Sequence, residues 1–165
     1  MKQRDEEFAA FVQAATPRLR RTAYLMCRDW HLAQDLTQLT LAKMYVSWAR
    51  IWRTANLDAY SRRVLMNAIF DQGKKRSKSE VIVSELPDRP GQPASEPELH
   101  ITLMRALATL PVRDQAIVVL RHWEDRSVES VAEILGVSES VVKMQSLRAL
   151  GRLRELLGED FVITS

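Results

Sequence analysis

Residues 127–150 read SVESVAEILGVSESVVKMQSLRAL, which is two short amphipathic segments joined only by Gly136, Val137 and Ser138. Ser127 and Ser138 each precede apolar residues at helical spacing, so each is predicted to cap a helix. Gly136 permits the left-handed backbone that ends the first helix. Because so short a turn holds the second helix at a steep angle with its N-terminal face outward, the stretch predicts a helix-turn-helix.

The outward face of that second helix suits the major groove of duplex DNA. Polar, cationic and apolar side chains on it can contact bases or phosphates. The candidate DNA-contacting residues are Ser138, Glu139, Ser140, Lys143, Met144, Gln145, Arg148 and Arg152. The same periodicity also allows an ordinary helical hairpin in a small bundle, which would bind no DNA.

Composition predicts a folded, all-α protein. Hydrophobic residues make up 46% of the 165 positions, enough to build cores, and glycine occurs only five times while helix-forming residues are abundant. The single cysteine, Cys27, excludes an internal disulfide and a multi-cysteine zinc site, which favours a cytoplasmic location. No apolar run reaches bilayer-spanning length and the charged N-terminus lacks an apolar signal core, so we expect no membrane insertion.

A proline-rich segment divides the chain. The stretch SELPDRPGQPASEP, residues 84–97, contains four prolines and no apolar periodicity. We therefore predict two small helical domains, residues 1–83 and 100–165, joined by a flexible linker over residues 84–99. The basic excess lies before this segment, because residues 1–85 hold 15 Lys and Arg against 9 Asp and Glu. That imbalance favours a polyanionic partner for the first domain.

The first domain has apolar residues at helical spacing in three or four segments, and Pro17 is predicted to start a new helix or kink one. Its last helix also carries a cluster of positive charge near Gly73. Cations at a helix C-terminus complement the helix dipole, which is one interpretation of the cluster. The other is a nucleic-acid surface that continues along the same helix through Arg62 and Arg63.

The motifs together resemble one family. PRLRRTAYLMCRDWHLAQDLTQLTLAKMYVSW (17–48) and LDAYSRRVLMNAIFD (57–71) are similar to domain sigma-2 of the extracytoplasmic-function, or group 4, sigma factors of the sigma-70 family. LATLPVRDQAIVVLRHWEDRSVESVAEILGVSESVVKMQSLRALGRLRELL (107–157) is similar to their sigma-4 domain. The resemblance implies a protein that directs core RNA polymerase to promoters, with sigma-4 recognising the −35 element and sigma-2 melting the −10 element.

Residue roles follow from the resemblance. Asp35 and Gln38 match the family's D-L-x-Q helix, which docks on the polymerase, and Leu39 stands where Glu is common. The residues assigned to the −10 element, by family motif or by positive charge, are Asn56, Tyr60, Arg62, Arg63, Asn67, Asp71, Lys74, Lys75 and Arg76. In the second domain, Met144 and Gln145 replace the Ser and Arg that are frequent in the family, so the −35 preference is expected to differ.

Other functional classes have weaker support. The three histidines show no metal-binding spacing and no phosphate-binding glycine loop occurs, so we expect no catalytic residues, metal, cofactor or small-molecule substrate. The alternatives left open are a stand-alone helix-turn-helix regulator that binds a palindrome as a dimer, and an adaptor that binds no DNA. The expected partners are core RNA polymerase, promoter DNA and an anti-sigma factor.

Overall fold

The computed structural model describes residues 2–53, 56–79 and 96–158, and all regular structure in these ranges is helical. The predicted all-α class is therefore confirmed. In chain order the elements are α1 (Lys2–Cys27), α2 (Trp30–Ile51), α3 (Leu57–Ser79), α4 (Glu96–Ala108), α5 (Val112–Val118), a π-helix (Val119–Trp123), α6 (Val128–Leu135) and α7 (Glu139–Leu157).

Helices α1, α2 and α3 form the first half of the molecule. A two-residue connection joins α1 to α2, and Asp29 caps α2 by accepting hydrogen bonds from the backbone N–H groups of His31 (2.9 Å) and Leu32 (3.2 Å). No new helix starts at Pro17, because α1 continues through it. Ala15 and Leu19, on either side of that proline, are both buried, so packing holds the helix together there.

Helices α4 to α7 and the π-helix form the second half. Helix α4 begins at Glu96, inside the range predicted as linker, and Pro97 occupies its first turn, where a missing N–H costs no helical hydrogen bond. Residues 84–95 of the predicted linker lie outside the described residues. Pro111 directly precedes α5, close to the predicted helix start.

The two halves pack against each other in this structure. One continuous core contains side chains from both, such as Leu19 and Leu65 from the first half and Ile117 and Leu153 from the second. Helix α3 lies against α6, and α1 lies against α5 and the π-helix. The sequence predicted two modules but gave no indication of this contact.

Candidate nucleic-acid interface

The turn between α6 and α7 has the geometry expected of a helix-turn-helix. The hydroxyl of Ser127 accepts a hydrogen bond from the backbone N–H of Ser130 (3.0 Å), and that of Ser138 accepts one from the N–H of Val141 (3.2 Å). Gly136 is left-handed, with φ of 67°. Its N–H and that of Val137 both donate to the carbonyl of Ala132, which ends α6 sharply. Both predicted caps and the predicted glycine ending are confirmed.

Helix α7 buries one face and exposes the other. Val142, Ala149 and Leu153 are buried in the core, which fixes the helix in place. The outer face carries the side chains that the sequence assigned to DNA, and it includes two large exposed apolar residues, Met144 at 58% and Leu147 at 74% exposure. Of the residues that the sequence assigned to the −35 element, Gln145 is half-buried and the others are exposed. The exposed ones are Ser138, Glu139, Ser140, Lys143, Met144, Arg148 and Arg152.

Arg148 is held by a buried carboxylate. Its guanidinium donates to both side-chain oxygens of Asp114, at 2.9 and 3.2 Å from Nη2, while Asp114 itself is 2% exposed. The hydrogen bond and charge of Asp114 raise the pKa of Arg148. Arg148 was predicted only as a DNA contact, but here it also ties α7 to α5. Arg152 lies 3.5 Å from Glu155 on its own helix, so neither arginine is an isolated cation.

Helix α3 presents a second polar stripe. Arg63, Asn67, Asp71 and Lys74 are exposed and recur at spacings of four, four and three, so they share one face of the helix. Their side chains are therefore brought together as the sequence predicted. The backbone of Lys75 and Arg76 continues the helix, while their side chains lie outside the described residues.

Three of the residues assigned to the −10 element occupy other environments. The predicted continuous cationic surface is wrong at Arg62, which is 3% exposed and forms ion pairs with Glu124 and Asp58. The side-chain oxygen of Asn56 accepts a hydrogen bond from the backbone N–H of Ala59 (3.1 Å), so Asn56 caps α3. Tyr60 is half-buried against the small cluster centred on Trp48.

Helix α2 exposes a stripe that the sequence identified only in part. Asp35, Gln38 and Leu39 lie at the surface as predicted, and Leu39 is 45% exposed. The same face continues to Val46, at 84% exposure, with Tyr45 beside it at 57%. Helical spacing would have found Val46, because it lies seven residues, or two turns, after Leu39.

Comparison with known proteins decides the family. The family model described as Sigma-70 region 2 matches residues 11–79 of this chain, and the model described as Sigma-70, region 4 matches residues 106–155. The RNA polymerase sigma-E factor of Streptomyces coelicolor is 39% identical over 152 residues, covering 92% of this chain and 86% of that one. This chain belongs to the sigma-70 family. The ECF RNA polymerase sigma factor SigM of Mycobacterium tuberculosis is 29% identical over 140 residues, 85% of this chain and 71% of that protein, in agreement with the extracytoplasmic-function group.

Solved structures agree with the fold of this sigma-70 family member. The sigma factor RpoE, in complex with the anti-sigma factor NepR from Bartonella quintana, matches with a TM-score of 0.76 and 25% identity, covering 92% of this chain and 97% of that one. CnrH, in complex with the cytosolic domain of CnrY, matches with a TM-score of 0.70 over 93% and 89% of the chains. Its 19% identity supports the fold alone. Among the described residues, no helix is both long and apolar enough to cross a membrane.

Proposed function

We propose that this chain is a sigma factor that binds core RNA polymerase, directs it to particular promoters and promotes initiation. The observation that carries the proposal is the occurrence of both sigma-70 regions in one chain, each with an exposed polar helix face. In this function α7 recognises the −35 element as duplex DNA, and the stripe on α3 engages the −10 element as it opens. Catalysis belongs to the polymerase, and the sigma factor contributes binding free energy.

Helix α7 can discriminate bases because its caps and its buried face fix it before DNA binds. Lys143 supplies charge for a phosphate or a guanine edge, and Met144 supplies apolar contact to a thymine methyl group. Because Arg148 is anchored by Asp114, it would contact DNA with its remaining donors and at a fixed position. This arrangement favours a −35 preference set by Lys143, Met144 and the half-buried Gln145.

Transcription from purified components tests the recognition part of the proposal. Core polymerase with this chain should produce transcripts from genomic fragments that core alone does not transcribe, with start sites downstream of a shared motif. Lys143→Gln should reduce these transcripts at least tenfold. Arg154→Gln is the matched control, since it removes one positive charge from an exposed position further along α7 that we assign to no DNA contact. Absence of any promoter-dependent transcript, or equal loss in the control, would contradict the proposal.

The exposed stripe of α2 is the proposed polymerase-docking surface. It combines a carboxylate and an amide, Asp35 and Gln38, with the apolar side chains of Leu39 and Val46. An interface of this kind gains affinity from the apolar part and orientation from the polar part. Here Val46 extends the docking surface two turns beyond the residue at which the sequence prediction stopped.

The docking assignment is tested with a pair of double variants. Asp35→Ala with Gln38→Ala should weaken binding to core polymerase at least tenfold without lowering the thermal unfolding midpoint. Asp5→Ala with Gln13→Ala removes the same chemical groups from exposed positions of α1 and should bind as the wild type does. Equal affinity of both double variants for core polymerase, measured by fluorescence anisotropy, would reject the assignment.

An anti-sigma factor and a cytoplasmic place of action complete the proposal. The RpoE and CnrH neighbours were each solved in complex with another protein, named as an anti-sigma factor in the first case. We extend that kind of partner to this chain because both matches cover at least nine-tenths of it. Co-purification from the source bacterium of a protein that blocks core binding is the expected result.

A further inference from the structure

An open pocket lies between α1 and α2, near the turn that joins these two helices. Its volume is about 430 Å³, and it is lined by Arg20 of α1 and by Trp30, His31 and Gln34 of α2. A volume of this order accommodates a small molecule. All four lining residues belong to the first half of the molecule, and none of them is assigned above to DNA or to polymerase. We call this site the hairpin pocket.

One wall of the hairpin pocket is a tryptophan ring. The rings of Tyr24 and Trp30 are parallel within 6°, and their centroids are 3.9 Å apart. Tyr24 does not line the pocket, so Trp30 stands between Tyr24 and the pocket. Trp30 is nevertheless 53% exposed, which makes it the most exposed of the four tryptophans. A flat ring that is supported on one side and open on the other is a platform on which a second planar group can stack.

The other lining side chains are hydrogen-bond donors. Arg20 Nη1 donates to Gln34 Oε1 at 3.4 Å, a long bond that leaves most of the guanidinium donors available. Among the described residues, no carboxylate forms an ion pair with Arg20. His31 and the amide nitrogen of Gln34 add further donors. Residues 16–27 of α1 include three arginines and no acidic residue, so the surroundings of the pocket favour an anion.

Side chains, rather than the N-terminus of α2, have to hold that anion. The carboxylate of Asp29 already accepts hydrogen bonds from the backbone N–H groups of His31 and Leu32. These two N–H groups are therefore not available to a ligand. A guanidinium such as that of Arg20 can bind two phosphate oxygens at once, which suits a phosphate better than a lone carboxylate.

A nucleotide combines the two groups that the hairpin pocket accepts, a planar ring and a phosphate. We propose that the hairpin pocket binds a free purine nucleotide, with its base stacked on Trp30 and its phosphates held by Arg20 and His31. The nucleotide is bound and released unchanged. A nucleic-acid strand fits less well, because surfaces that bind single strands present successive aromatic platforms, whereas Trp30 is the only aromatic lining residue besides the imidazole of His31.

The hairpin pocket adjoins the proposed polymerase-docking surface. His31 and Gln34 lie one helical turn before Asp35 and Gln38, respectively, so each pair shares a face of α2. A bound nucleotide would therefore occupy space and add negative charge beside the docking surface, and we expect it to weaken binding to core polymerase. This consequence rests on the proposed function, whereas nucleotide binding does not. Unchanged affinity for core polymerase at saturating ADP, measured by fluorescence anisotropy, would refute the consequence.

Nuclear magnetic resonance of the free, ¹⁵N-labelled chain tests binding, with ADP as the ligand. The four tryptophans give four indole N–H signals, and ADP should shift the signal of Trp30 saturably while the other three remain in place. The signal of Trp30 is identified by its loss in Trp30→Phe. Adenosine and pyrophosphate each supply only one of the two groups, so each should bind about tenfold more weakly than ADP or worse.

Matched variants separate the hairpin pocket from general charge. Arg20→Gln should weaken ADP binding about tenfold or more, because it removes the phosphate-binding guanidinium. Arg21→Gln removes the same charge from the next position, which is exposed and does not line the pocket, and it should bind as the wild type does. Trp30→Ala should weaken binding about fivefold or more. Trp30→Phe retains a smaller platform, so its affinity should lie between those of Trp30→Ala and the wild type.

Three results would overturn the nucleotide pocket. The first is no saturable shift of the Trp30 signal at millimolar ADP, and the second is equal loss of affinity in Arg20→Gln and Arg21→Gln. The third is tighter binding of a single-stranded tetradeoxyadenylate than of ADP, which would assign the site to a nucleic-acid strand. If ADP binds as expected while transcription with core polymerase fails, the proposed function falls and the pocket stands. If transcription succeeds without ADP binding, the pocket falls alone.

Discussion

Arg148 and Arg62 show how single residues acquire roles that sequence patterns miss. Both were predicted as DNA contacts because they are cationic residues on helices with a recognisable function. Arg148 is bound to Asp114, 34 residues earlier, and Arg62 is bound to Glu124, 62 residues later. No local pattern encodes partners so distant in sequence. The helices that carry these arginines were predictable, but their ion pairs depend on how separate segments pack.

The Asp114–Arg148 pair leads to a prediction on stability. Arg148→Met alone leaves the carboxylate of Asp114 buried without its present partner, which is more costly than removing both charges. We therefore expect Arg148→Met to lower the unfolding midpoint more than Asp114→Asn combined with Arg148→Met. Thermal melts followed by circular dichroism measure the difference. A double variant less stable than Arg148→Met would contradict the assigned role of Asp114.

At the scale of elements, the helix-turn-helix was the most predictable part of the chain. Two serine caps, one glycine and a short apolar repeat specify it locally, and the structure shows each of them. The π-helix at Val119–Trp123 was not predictable, because its sequence is ordinary for an α-helix. In the same way, α1 continues through Pro17 because its flanking residues are buried.

Replacing Gly136 or Gly151 by alanine should change the free energy of unfolding in opposite directions. Gly136 has φ of 67°, and although an added Cβ would meet nothing within 4 Å, the backbone conformation disfavours it. Gly136→Ala should therefore lower the free energy of unfolding by about 1–2 kcal/mol. Gly151 lies inside α7, and a Cβ added there would meet nothing within 4 Å. Gly151→Ala should therefore raise the free energy of unfolding by about 0.5–1 kcal/mol. Urea unfolding with unchanged m-values would establish both, and changes of the same sign would refute the local explanation.

At the scale of the whole molecule, the sequence predicted the two modules and their order but not their contact. A proline-rich segment indicates that two modules are connected, but it does not indicate whether they touch. The contact is made by groups that look unremarkable in sequence, among them Thr22, Glu124 and Arg126. Only their positions in three dimensions distinguish them from other surface residues.

Acid should weaken the contact between the two halves, because Asp58 of α3 forms an ion pair with Arg126, which lies just before α6. Burial raises the pKa of Asp58, but the hydrogen bond from Arg126 and the charges of Arg62, Arg126 and Arg18 outweigh it, so the pKa lies below its ordinary value of 3.8. A carboxyl whose pKa is lowered by folding contributes stability above its ordinary pKa and loses it as the pH falls further. The radius of gyration should therefore increase below about pH 4.

Asp58→Asn checks this assignment, because it removes the titrating group while keeping the shape of the side chain. Its radius of gyration should depend less on pH between pH 5 and pH 3 than that of the wild type. Asp5→Asn removes an exposed carboxyl from α1 instead. Equal flattening of the pH dependence in both variants would show that the effect does not come from Asp58.

Asp58 and Arg62 in the first half, and Glu124 and Arg126 in the second, are ion pairs whose charges sum to zero within each half, and this bears on how the halves come together. These four charges therefore add little to the long-range attraction between the halves, and the rate at which the halves meet depends on tethered diffusion and on the other charges of each half. Once they meet, the short-range pairs determine how long the contact lasts. Added salt should therefore shorten the time for which the halves stay in contact, because it weakens these short-range ion pairs.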